Sequence, residues 1–139
     1  MSSEEQAAAY LREADLTLQS ARTVFDAATP DDPLWAQVVK NGYDAIEQAV
    51  SAAIAAQGER IPRKHPAKIN MFLDLYDPDD ALEDRLLDWL RRRSDAQYVD
   101  IRGDKMNIPH EQFDRGDAER ILNDADAVLT YVRQAVDVS

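Results

Sequence analysis

The stretch WAQVVKNGYDAIEQAVSAAIAAQG, residues 35–58, decides the fold. Trp35, Val39, Gly42, Ile46, Ala49, Ala53 and Ala56 recur at alternating steps of four and three. That spacing stacks them along one stripe of an α-helix. Val38, Tyr43 and Val50 widen the stripe, so this helix is predicted to be central and contacted from two sides. Most of the stripe is Ala or Gly, which lets neighbouring helices approach closely. Gly58 stands where a left-handed helix cap is expected.

The same spacing extends outward in both directions. Upstream, Ala7, Leu11, Ala14, Leu18, Ala21 and Phe25 form another stripe, with Ser3 and Gln6 in a capping-box pattern. Pro30 and Pro33 then mark a short turn, so the first two helices are predicted to form an antiparallel hairpin. Downstream, RIPRKHP (60–66) reads as a loop, and Ile69, Phe72, Leu73 and Tyr76 as the inner face of a short helix. DPDD (77–80) breaks that helix and can cap the next, which carries Leu82, Leu86, Trp89 and Leu90 and runs out through RRRSDAQY (91–98). Residues 99–113 show no sustained period and read as an irregular connection, with no strand pattern. A final helix is predicted from about Asp117, with Ile121, Leu122, Ala125, Val128, Leu129, Val132 and Val136 inward. The predicted architecture is all-α, an up-and-down bundle of about five helices in a single domain over 1–139.

Composition narrows the function classes. The 139 residues include no cysteine and only two histidines, His65 and His110, which excludes disulfides, thiolate metal sites and histidine-rich metal sites. No segment approaches the ~20 apolar residues of a membrane span, and MSSEEQAAAY has neither the basic nor the apolar region of a secretory signal. A cytoplasmic protein without cofactor is expected. The net charge of -11 argues against generic nucleic-acid binding, so any such contact must be a local basic patch. The charge comes from 19 Asp and 8 Glu against 12 Arg and 4 Lys. Such a surface stays hydrated at high ionic strength, which suggests a salt-rich cytoplasm; a GC-rich genome gives the same bias.

The helix order, the run WAQVVKNGYDAIEQAVSAAIAAQG, the loop IPRKHP, the helix INMFLDLY, the segment RRRSDAQY and the final DAERILNDADAVLTYVRQAV together resemble the HEPN domain family. The resemblance spans nearly the whole chain. It implies a homodimer and, for small prokaryotic members, a toxin–antitoxin or defence-type system with a minimal nucleotidyltransferase as partner. It also implies RNA or a nucleotide as ligand. Many members are metal-independent RNases marked by an arginine followed after four to six residues by a histidine. There histidine handles protons and arginine stabilises the phosphorane-like charge. Here Arg93 is followed after four residues by Tyr98. A phenol with a pKa near ~10 shuttles protons poorly at pH 7, so the motif reads as degenerate. The expected role is therefore binding or regulation, with an active endoribonuclease using His110 or His65 as the alternative. A helical interaction protein without a nucleic-acid role is the third reading.

Candidate residues follow from this. Arg93, Tyr98 and His110 are the candidate catalytic groups, and Arg91, Arg92, Arg93 and Arg102 the candidate phosphate contacts. The bland reading of the three arginines is the basic end of a helix, paired with Asp84, Asp88 and Asp95. Tyr98 reads first as a packed aromatic. Asp44 and Glu47 share a helix face as supporting polar groups, or as a solvated surface pair. His65 reads first as a loop or capping residue. Arg60–His65 has the family spacing but lies in a loop, and Arg102 and His110 are too far apart for it.

Overall fold

The computed structural model describes residues 1–136, apart from the side chain of Arg102. Its helices are α1 (Ser3–Ala27), α2 (Trp35–Ala56), α3 (His65–Tyr76), α4 (Asp80–Gln97), α5 (Pro109–Gln112) and α6 (Arg115–Val136). A hairpin of β1 (Asp100–Arg102) and β2 (Lys105–Asn107) separates α4 from α5. The all-α bundle expected from the sequence is what the chain forms. The core is built around α2, which packs against α1, α3, α4, α5 and α6. Its buried face runs from Ala36 to Ala55 and includes Val38, Val39, Tyr43, Ile46, Val50 and Ile54.

Small residues on α2 set the packing distance. A Cβ built on Gly42 would sit 2.6 Å from Cγ1 of Ile121 on α6 and 3.2 Å from its Cγ2. Only a hydrogen at position 42 leaves room for that crossing. Gly58 takes φ +74, the left-handed geometry that ends α2. Asp79 caps α4, its carboxylate accepting from the Leu82 amide at 2.9 Å. Polar ties lock α4 to α6: the buried Asp124 accepts the Trp89 indole N–H at 2.7 Å and faces Arg85 Nε at 3.4 Å.

Four expectations shift. The capping box of α1 is Ser2 with Glu5, one residue earlier than Ser3 with Gln6. Glutamate places a full negative charge on the positive helix end, which glutamine does not. The connection 99–113 is not irregular: Asp100↔Asn107, Ile101↔Met106 and Arg102↔Lys105 pair antiparallel around Gly103. The final helix starts at Arg115, where Asp114 and Asp117 exchange hydrogen bonds of 2.9 and 3.1 Å. Finally, α4 continues to Gln97, so Arg91–Arg93 lie a turn before its end and do not serve its last carbonyls.

Candidate phosphate-binding site

One face of α2 breaks its apolar pattern with Tyr43, Asp44 and Glu47; Glu47 stands four and three residues after the other two and hence beside each of them. Helix α3 is laid over this face. Its first residue is His65, held at a helix start by Pro66, and Lys68 follows one turn on. The two side chains therefore point the same way and converge on Glu47. His65 Nδ1 donates to Glu47 Oε2, and Lys68 Nζ donates to Glu47 Oε1 at 3.0 Å. Glu47 is only 7 % exposed. Burial pushes its carboxyl up, but contacts from Tyr43, Lys68 and His65 outweigh that and hold it below the ordinary carboxylate range. The site thus keeps a buried charge because His65 and Lys68 donate to it, with the Tyr43 hydroxyl beside them.

Engaging Nδ1 fixes the imidazole and leaves Nε2 as the ring nitrogen for an outside partner. His65 is 39 % exposed, enough to meet a ligand. Tyr43 packs edge-on to the His65 ring, centroids 6.4 Å apart. Its buried hydroxyl lies beside Glu47 but makes no hydrogen bond of ordinary geometry. Burial and the neighbouring carboxylate push this phenol far above its usual range, so it stays protonated. Arg93 reaches the same cluster from α4. Its Nε is buried and unpartnered, and its positive charge acts on both Tyr43 and Asp44. Burial pushes the Asp44 carboxyl up, partly offset by Lys40. Beside Glu47 and Lys68 opens a cleft of about 240 Å³, walled by Asp44, Ser51 and Ile61 among others. A larger groove of about 590 Å³ near Ala7, Ala8 and Val136 lacks such a convergence of acid, base and cation.

The structure sorts the sequence candidates. Asp44 and Glu47 come together, half-buried and buried rather than a solvated pair, and the Arg93 charge acts on Asp44. Arg92 is occupied elsewhere: it bonds Asp117 at 3.3 Å and lies over the Trp89 and Phe113 rings, at 5.1 and 4.8 Å. Arg91 is exposed beside Asp88 at 3.7 Å, an expected pairing within α4. Tyr98 is not packed; it is 56 % exposed and ends α4, its carbonyl accepting from Asn107 Nδ2 at 3.0 Å. His110 is exposed on α5 with no hydrogen bond or ion pair among the described residues. The Arg102 side chain lies outside the described residues. His65 and Lys68 are the functional candidates that sequence reading undervalued. Their signal was present: a histidine and a lysine three apart at a Pro-marked helix start, and a glutamate four residues after Tyr43 within an apolar helix.

Among the described residues no cluster of three or more metal-ligating side chains is present, and no helix is long and apolar enough to cross a membrane. Comparisons with known proteins agree with the architecture. The crystal structure of TT1696 from Thermus thermophilus superposes with a TM-score of 0.77 at 18 % identity, covering 93 % of this chain and 97 % of that one. ST0689, an archaeal HEPN homologue, superposes with a TM-score of 0.72 at 18 % identity over 94 % of this chain and 98 % of its own. At such identities the likeness is one of fold. No curated protein sequence matches the chain. The model of the HEPN domain family matches residues 7–135, and the chain therefore belongs to the HEPN family.

Proposed function

We propose that this HEPN protein binds a phosphate-bearing ligand, single-stranded RNA or a nucleotide, at the cluster that His65 and Lys68 of α3 and Arg93 of α4 form around α2. One observation carries the reading: a histidine and a lysine converge on a buried carboxylate, that carboxylate and the lysine line an open cleft, and the Arg93 charge acts on Tyr43 and Asp44 of the same helix. Such an arrangement offers donors to phosphate oxygens without rearrangement. We further propose a homodimer acting in a toxin–antitoxin or defence-type system with a nucleotidyltransferase partner, as the family resemblance implies. Fluorescence anisotropy of labelled single-stranded RNA across a salt series tests the binding. Affinity should fall as salt rises, and Lys68→Met should reduce the salt slope by about one contact. No binding at low salt rejects the reading. Sedimentation velocity and co-purification with a neighbouring gene's product test dimer and partner; a monomer without such a partner rejects them.

The contact of His65 Nδ1 with Glu47 favours a second reading, metal-independent RNA cleavage. His65, held by Glu47, would accept the proton of the attacking 2′-hydroxyl; the new P–O2′ bond closes a 2′,3′-cyclic phosphate as the P–O5′ bond breaks, the leaving 5′-oxygen takes a proton from water, and Arg93 and Lys68 balance charge on the phosphate. It places the proton step on His65 rather than His110. Incubation of RNA in chelator should give cleavage that His65→Ala abolishes and His110→Ala spares. Cleavage that survives His65→Ala, or never appears, rejects it.

A further inference from the structure

The cleft beside Glu47 has a chemical bias of its own. Glu47 has both oxygens engaged, by His65 and Lys68. Asp44, one turn earlier, makes no hydrogen bond or salt bridge among the described residues. Gln48, four residues after Asp44 and so on the same face, has its Oε1 buried and unpartnered. Both line the cleft, and Tyr10 from α1 lines it too, with its ring partly exposed. The cleft is therefore lined by an unengaged carboxylate, an amide side chain whose buried oxygen lacks a donor, and an aromatic surface.

A buried acceptor without a donor is costly, so such a pair selects ligands that bring N–H groups. Two ligand types fit acceptors beside an aromatic ring: a guanidinium or ammonium group, and a nucleobase with N–H donors. The rim decides between them. The loop that supplies Ile61 to the wall also carries Arg60, Arg63 and Lys64, all exposed and without a salt bridge among the described residues. Lys64 and Lys68, with Lys40 acting on Asp44, put three of the chain's four lysines around this site. In a chain of net charge -11 that concentration repels a cationic ligand and attracts a phosphate.

We infer that the cleft between α1, α2 and the loop before α3 is a base-recognition subsite for a nucleotide whose base presents adjacent N–H donors, guanine above all, with its phosphate on the cationic rim. Asp44 and Gln48 accept from the base edge, as carboxylates and amide oxygens do in base readout. Tyr10 stacks on the base face. Arg60, Arg63 and Lys64 hold the phosphate. The inference rests on the proposed binding of RNA or nucleotide at the neighbouring cluster and names the base that this binding selects.

The test is binding of oligo(G)-containing and oligo(U) single-stranded RNA, of GMP, UMP and guanosine, and of free arginine, to the full chain. Variants are Tyr10→Ala and Gln48→Leu, with thermal melts confirming that each folds. Wild type should favour guanine over uracil by roughly tenfold or more, the scale of one well-made base-edge contact. Gln48→Leu should erase that preference while leaving oligo(U) affinity within about twofold, and Tyr10→Ala should weaken the binding of both RNAs, because an aromatic face stacks on any base. Guanosine should bind more weakly than GMP, because the rim lacks its phosphate. RNA binding without a base preference, a preference that Gln48→Leu retains, or affinity that Tyr10→Ala leaves unchanged overturns the inference and leaves the phosphate site standing. GMP binding without RNA binding upholds the inference and overturns the RNA reading. Arginine binding more tightly than GMP, or no binding of any ligand, overturns the subsite.

Discussion

Glu47 is the residue on which the cluster turns, because it is buried, charged and bonded by donors from a second helix. Its carboxyl sits below the ordinary range, so the charged form is favoured in the fold. A carboxyl depressed by folding stabilises above its unfolded value, near ~4.3, and that contribution is lost as pH falls through the folded value. Melting temperature should therefore drop below about pH 4 more steeply in wild type than in Glu47→Gln. At pH 7 Glu47→Gln should be less stable by about 1–3 kcal/mol, since Lys68 and His65 lose their charged acceptor. Equal acid slopes in thermal melts would remove Glu47 from this role. Asp44 has the opposite sign. Burial raises its carboxyl, so its ionisation weakens the fold as pH rises through that range. Asp44→Asn should be neutral to stabilising by up to about 1 kcal/mol at pH 7 in urea melts, while ligand binding weakens. A loss of stability would mean that Asp44 serves the fold.

Helix α2 joins fold and site. Its apolar side was legible from the spacing of Trp35 through Ala56, because a stripe of small residues has few other uses. Gly42 is the position that shows how tightly α6 is seated, at 2.6 Å from Ile121 to the added Cβ. Gly42→Ala should cost about 1–3 kcal/mol by overpacking against a buried, β-branched neighbour, despite alanine's better helix propensity. Chemical denaturation measures it, and a stabilised variant would mean that α6 yields freely. The hairpin at 100–107 was not legible as strand, since three residues a side give too little alternation. Its signal was the Gly103–Asp104 pair between the two short runs, which suits a two-residue turn. The site was partly legible in the same way. Periodicity put Asp44 and Glu47 on one face but could not say that α3 covers it. That depends on the path of the loop 57–64, which carries no period. So Glu47 looked solvated and His65 looked like a cap, while RRR drew attention that only Arg93 keeps.

At the scale of the molecule the charge distribution matters more than the sum. The chain is acidic, yet Arg60, Arg63 and Lys64 follow one another on the exposed loop that leads into α3, where Lys68 bonds Glu47. If the aspartate-rich surface is adapted to a salt-rich cytoplasm, melting temperature should rise by several degrees between roughly 0.1 and 2 M KCl, as repulsion is screened. A flat or falling salt series removes that account. The proposed phosphate site is the His65–Lys68–Arg93 cluster, not Arg91 or Arg102. The most direct measurement is RNA affinity by fluorescence anisotropy, at fixed low salt, for Lys68→Met and Arg93→Ala beside Arg91→Ala and Arg102→Ala. Loss of about tenfold in the first two, with the last two within about twofold of wild type, is expected. Unchanged affinity for Lys68→Met and Arg93→Ala, with loss for Arg91→Ala or Arg102→Ala, would contradict it.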